Sequence, residues 1–594
     1  MRTPEPLLIV TLIIGELSRR FARRVRSGPL YRWRFAGAAP EALQLAPADM
    51  RPADPALAND YYSGLFEFAG TMVDTKGDSP FSVESPSAEW FTSLHSFRWM
   101  RHLRAAKSDL IEAHAAALVS DWITTWGNRL DSQAWRSDII AARMISWFSH
   151  APLIVKNTDA TMHRTFLKSL SRQYRYLYHN APSVRDGYPR LHAMVALCCA
   201  SLCLGLKPKV IEQLQNELDK ELKRQILPDG GHVSRNPGVL ITLLADLLPL
   251  REAYIDQGIR PTSELMSAID RMIAILRFFR HSNGDLAQFN GAGYTPAPLL
   301  STVLRYEEQR EAVQQTAPHS GYHRLSAGQT VVLMDTGKPL SRATARRAMA
   351  GTLSFELSSG STRFITNCGI PDFSFKQYAP FARATAAHST ATVDNQSSSR
   401  FASDSRWHSY LPSPLIHSPQ HVEAKQGQSE GYHWVSASHD GYGPRLNVIH
   451  RREIHLSRDG KTLNAIDRFS ASQAGPVPDL PVTLRFHLPA SISASALSSG
   501  HSILIASTGS SSDAWTFSCV DGEISLEESI QFSGPGLPRK TEQIVVHSTT
   551  GREEIRWTMV RRKPKAQRAR KTGKEALPDF LDQMEIDTEQ PVLE

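Results

Sequence analysis

Arg383-Ala-Thr-Ala-Ala-His388-Ser-Thr-Ala-Thr-Val-Asp394 sets an imidazole and a guanidinium five residues apart, beside a run of small and β-branched residues. In an extended strand successive side chains alternate faces, so positions an odd number apart point opposite ways. Arg383 and His388 therefore share a site only if a turn or bulge separates them.

Working outward, the chain after about Gln315 is built of short segments rich in β-branched and aromatic residues. Examples are Gln329-Thr-Val-Val-Leu-Met, Thr352-Leu-Ser-Phe-Glu-Leu, Asn447-Val-Ile-His-Arg-Arg-Glu-Ile-His-Leu and Val482-Thr-Leu-Arg-Phe-His-Leu. Turn formers such as Asp335-Thr-Gly, Asp459-Gly and Asp521-Gly bound them, a spacing that predicts an antiparallel sandwich. Upstream, from about Ser93 to Arg310, the period changes. Helices are predicted over Leu103–Arg129, Trp135–Ser149, Met162–His179, Leu191–Leu204, Lys209–Ile226, Val239–Ile255 and Thr262–His281. Leu240, Leu243, Leu244, Leu247 and Leu248 fall at the spacing of a core-facing helical stripe. Short connections between helices of similar length suggest antiparallel hairpins, as in bundles and α/α toroids. The expectation is an α+β multidomain chain: a basic N-terminal helix (1–35), an all-α toroid (36–315), an antiparallel β-sandwich (316–562) and a charged tail (563–594).

The net charge of +8 is not spread evenly. Residues 1–35 hold eight arginines against Glu5 and Glu16, and the stretch from Arg561 onward mixes eight basic with seven acidic residues. The body between them is close to neutral, so no basic face is indicated and a nucleic-acid partner is not expected. Five cysteines lack metal-like spacing, and Cys198, Cys199 and Cys203 sit in an apolar run where cysteine acts as a small hydrophobe. Leu7–Ile14 is too short to span a bilayer, and its charge follows rather than precedes it, unlike a secretory signal. This segment reads either as a helix packed on the protein's own surface with arginines to solvent, or as a peripheral membrane contact. Without an export signal the sequence points to the cytoplasm, with the periplasm or cell envelope as the alternative.

The Arg383–Asp394 segment resembles the Arg-x-x-x-x-His-Asn-Thr signature of the heparinase II/III-like polysaccharide lyases, with Ser389 in place of Asn. The order of a helical half followed by a β-domain is also similar to that family, whose members pair an incomplete (α/α) toroid with an antiparallel sandwich. The resemblance implies a carbon–oxygen lyase that cleaves a uronate-containing acidic polysaccharide by β-elimination. Such a site must neutralise a carboxylate, supply a base near C5 and protonate the leaving oxygen.

Three groups are candidates for this work. In Asp186-Gly187-Tyr188-Pro189-Arg190-Leu191-His192, Tyr188 is a candidate catalytic residue and Arg190 and His192 candidate substrate ligands. The loop Asp229-Gly-Gly-His232-Val-Ser-Arg235-Asn236-Pro237-Gly238-Val239 resembles a family loop that usually carries the catalytic tyrosine, and here Val239 stands at that position. His232 is the candidate catalytic group there and Arg235 a substrate ligand, while Asn236 is a helix cap before Pro237. In the third group His388 is catalytic, with Arg383 pairing a substrate carboxylate. No cofactor is expected, although relatives with a structural zinc make His439 a candidate ligand. Val239 motivates an alternative, a degenerate glycan-binding or scaffold protein on the same fold. A third reading is a glycoside hydrolase drawing on Asp186, Asp229 and Glu356.

Overall fold

The computed structural model describes residues 5–156, 158–306, 312–341, 344, 347–371, 378–401, 415–498, 500–509, 513–532 and 538–562. The charged tail expected over 563–594 lies outside the described residues.

The helical half is led by Asp109–Trp126, Ser137–Ser149, Ala160–Asn180, Tyr188–Cys203, Pro208–Gln225, Pro237–Asp256 and Ser263–Phe278. Local chemistry sets their starts. Asp159, Asn236 and Thr262 cap backbone N–H groups with side-chain oxygens, and prolines open three of the helices where no N–H is needed. Tyr188–Cys203 is buried without interruption from Leu191 to Cys203. It packs against Ser137–Ser149, Pro208–Gln225 and Pro237–Asp256 together, the position of a helix apolar all round. Two expectations need correction. The helix predicted over Leu103–Arg129 breaks where Lys107 takes φ +49°, giving Met100–Ala105 and Asp109–Trp126. The half is not all-α either, since Leu65–Phe68 and Thr71–Asp74 form a hairpin.

The C-terminal half is antiparallel β, as expected. An eight-stranded sheet faces a four-stranded sheet across a core that includes Ile454, Trp515 and Trp557 on one side and Leu484, Ile544 and Val546 on the other. A third, five-stranded sheet runs through Thr316–Ala317, Tyr322–Ala327, Thr330–Asp335, Phe355–Ser359 and Thr362–Ile365. Its strand Thr330–Asp335 is buried along its whole length. Val331 and Leu333 belong to the helical core, Val332 and Met334 to the sandwich core. The two-residue period of a strand thus stitches the domains together.

The N-terminal helix, Glu5–Ser27, turns Arg20 and Arg24 to solvent as expected, but its apolar stripe does not pack on the protein. Glu16 is buried and held by Arg19, Arg20 and Arg185, and Arg26 reaches Ser183. Val10, Ile14, Leu17, Phe21 and Val25, spaced three or four apart, are exposed, Phe21 at 70%. No helix among the described residues is long and apolar enough to cross a membrane.

Candidate functional site

Arg383 ends the short helix Ala379–Arg383, and a 3-10 turn, Thr385–Ala387, follows before His388 becomes extended. This is the turn that the odd spacing required. Both residues back onto the segment 347–351: Ala350 N–H donates to Arg383 O, and a side chain at Gly351 would meet the His388 ring at 2.6 Å. His388 is buried, and its Nδ1–H donates to Ala384 O at 2.8 Å. That bond leaves Nε2 as the bare ring nitrogen, without a partner among the described residues. Burial keeps the imidazole below its usual pKa, despite the Ala384 bond and the nearby Asp335 and Glu356 carboxylates. His388 is thus a neutral acceptor at physiological pH. Arg383 lies with its guanidinium 6.0 Å from the Phe401 ring centroid, and burial with Arg347 nearby lowers its pKa from the ordinary guanidinium value.

On the toroid side, Tyr188 and His192 stack with ring centroids 5.3 Å apart. Arg98 Nη2 lies 3.5 Å from the Tyr188 hydroxyl and 3.2 Å from His192 Nε2. His192 is buried, which lowers its pKa against the pull of Asp246, whose Oδ2 lies 3.4 Å from Nε2. Asp246 in turn pairs with Arg51 at 2.8 Å; burial opposes its charge, and Arg51 leads the contacts that hold the carboxyl far below the usual range. From the sandwich side the exposed Arg347 acts electrostatically on both Tyr188 and Arg383. Arg98, Arg51 and Arg347 carried no motif. The one sequence signal was Asp246, a carboxylate inside the leucine-rich helix, which required a buried partner.

Three candidate residues are otherwise engaged. Arg190 forms an ion pair with Glu221 at 2.7 Å and is partly exposed. This makes it a rim salt bridge in a network with Arg224 and Asp186. His232 has both ring nitrogens occupied, Nδ1 with Ser234 Oγ at 2.7 Å and Nε2 with Gln225 Oε1 at 3.0 Å. Burial lowers its pKa to about 3, so it neither titrates near neutrality nor has a nitrogen left for substrate. Arg235, at φ +60°, donates to Ser320 O and Gly321 O, pairs with Asp335, and lies over the Tyr322 ring. It clasps the two domains. Val239 is partly buried and packs against the helical core, bringing no hydroxyl to the loop.

Asp186 is paired with Arg224, Asp229 accepts from Ser320 and Gly231, and Glu356 is bonded to His281 and Arg363. Each hydrolase carboxylate is thus held by the scaffold. His439 accepts from Gly441 N–H at 3.0 Å and lies edge-on to His450. Asp467 there receives His450, Arg452 and Trp557, so a guanidinium already balances the buried carboxylate. Among the described residues no three His, Cys, Asp or Glu side chains group as metal ligands.

Comparison with known proteins agrees with this layout. The family description "Heparinase II/III-like, C-terminal" matches residues 310–558. FtsZ-localized protein C of Caulobacter vibrioides (strain NA1000 / CB15N) is 31% identical over 549 residues, covering 90% of this chain and 93% of that protein. The chain belongs to the heparinase II/III-like family. Among solved structures, heparinase III superposes with a TM-score of 0.66 at 13% identity, covering 93% of this chain and 91% of that one. The heparan sulfate lyase HepC of Pedobacter heparinus gives 0.56 at 16% identity, covering 93% and 88%. At these identities the structures establish the fold, a toroid followed by a sandwich.

Proposed function

We propose that this member of the family binds an anionic glycan between toroid and sandwich without the usual elimination chemistry, and does so at a membrane surface. The observation that carries the reading is Val239. The position where the family usually presents its tyrosine holds a valine, with no phenol, here, and the neighbouring His232 is fully hydrogen-bonded. A base and an acid that act on C5 and O4 must have a free proton site within reach of the sugar. The exposed stripe of Val10, Ile14, Leu17, Phe21 and Val25, flanked by Arg20 and Arg24, supports the membrane half of the proposal. An apolar face bordered by arginines fits a leaflet of anionic lipid. The relative named FtsZ-localized protein C makes FtsZ the partner to try first.

The test incubates the full chain with a panel of uronate polysaccharides, reading bound polymer together with the ultraviolet absorbance of the unsaturated uronate. Binding without new absorbance is expected. In parallel, co-sedimentation with phosphatidylglycerol vesicles should be lost on Phe21→Glu. A second reading, β-elimination, is favoured by the bare Nε2 of His388 and by Arg98 beside the Tyr188 hydroxyl. Absorbance that grows with time and is abolished by His388→Ala would establish it.

A further inference from the structure

The helix Ala88–Ser96 ends at Phe97, which adopts φ 56°, ψ 14°. A bulky aromatic in the left-handed region is a true outlier, and such residues concentrate at functional sites. The surrounding core enforces it. Phe97 is fully buried, stacked on Phe81 and Trp99 and edge-on to Trp147, and its carbonyl accepts Ser146 Oγ at 2.6 Å.

The consequence falls on the next residue. Arg98 is turned toward Tyr188 and His192, with Nη2 engaged by both, while its Nε and Nη1 have no acceptor among the described residues. Charge around it is unbalanced: Arg51, Arg98, Arg101 and Arg347 stand within electrostatic reach of this cluster, against Asp49 and Asp246. Arg51 is already paired to both aspartates. A half-buried guanidinium with free donors in a locally positive wall is suited to an incoming anion. Its planar fork matches a carboxylate.

We infer that Arg98 is the residue that anchors the ligand's carboxylate, with the Tyr188 hydroxyl as a second donor beside it. The inference rests on the reading that this cleft takes an anionic glycan, and it gives carboxylate binding to a residue that no motif marks, beside the candidates Arg190 and Arg383. Arg98 acts here in recognition, and His192 behind Tyr188 is a positioning residue that holds the phenol ring in place.

The experiment uses the full chain as wild type, Arg98→Gln, Arg98→Lys and Arg190→Gln. D-glucuronate and D-glucose are the small probes, followed by saturation-transfer NMR, and a uronate polymer is followed by calorimetry. Wild type should bind glucuronate and not glucose. Arg98→Gln should weaken glucuronate by roughly tenfold or more, the loss of a charged hydrogen-bonded pair. Arg98→Lys should fall between the two, because it keeps the charge without the fork. Arg190→Gln should bind as wild type does. The melting temperature of Arg98→Gln should stay within a few degrees of wild type, which separates lost recognition from lost structure. Equal glucuronate binding by wild type and Arg98→Gln, or none by wild type, would overturn the assignment. Polymer held at wild-type affinity by Arg98→Gln overturns the anchor and keeps the glycan reading. Glucuronate held through Arg98 with no polymer bound keeps the anchor and overturns that reading.

Discussion

Two stretches of the same domain interface are built in opposite ways. Along the seam, Arg235 pairs with Asp335, Asn290 donates to Asp335 at 2.8 Å and to the Tyr322 hydroxyl at 2.7 Å, and His281 meets Glu356 at 2.8 Å. At Arg98 beside Tyr188 on the toroid side, and at His388 on the sandwich side, donors and acceptors lack partners among the described residues. Buried charges are tolerated only when paired and hydrogen-bonded, so the seam holds the domains at a fixed spacing. Charged residues at a domain interface divide into structure and recognition by whether their bonds are already made.

The comparison breaks first at Asp335. Asp335→Ala leaves the Arg235 guanidinium buried without its counter-charge, and about 3–5 kcal/mol of stability should be lost. Denaturant titration reads this directly, and a loss under ~1 kcal/mol would mean that the clasp is not structural. The acid sensitivity of the toroid loop that carries Arg235 comes next. The folded-state pKa of His232 lies at about 3, against 6.5 for the free side chain. Between those values the unfolded chain binds the proton and the folded chain does not. The His232 contribution is therefore complete above pH 6.5 and declines as pH falls toward 3. His232→Gln should flatten the stability profile in that window, and an unchanged slope would show that burial of this imidazole is not what is being titrated.

Gly351 sharpens the other half of the contrast. A methyl group there meets the His388 ring at 2.6 Å, so Gly351→Ala should cost about 1–3 kcal/mol as an overpacked contact and displace His388. The histidine NMR signals should shift while the seam stays intact. Least affected is Arg190→Gln. Its ion pair with Glu221 is partly exposed, and such pairs contribute about 0–1 kcal/mol; a thermal scan close to wild type is expected.

Much of this was legible in the chain. Periodicity located the toroid helices and the sandwich strands, because each element buries one face or stripe and shows it as a repeat. The break at Lys107 was not legible, since nothing local announces a left-handed residue that tertiary packing imposes. For the candidate site the sequence offered motifs at His388 and Tyr188. It offered none at Arg98, which lies ninety positions from Tyr188 and reaches the site through the conformation of Phe97. Arg190, His232 and Arg235 had suitable chemistry at suitable places. Their partners Glu221, Gln225 and Asp335 come from other segments, and only the fold reveals that those bonds are already formed. The N-terminal helix taught the same lesson in reverse: its amphipathicity was visible, but which face points outward depends on Arg185 holding Glu16.

The most direct test of this division sets Arg98→Gln beside Arg235→Gln in the full chain, measuring melting temperature and uronate-polymer affinity on the same samples. Arg98→Gln should keep its melting temperature and lose affinity. Arg235→Gln should lose several degrees and, at a temperature where it remains folded, bind like wild type. The reverse pattern, with Arg98→Gln unstable and Arg235→Gln unable to bind, would contradict the account.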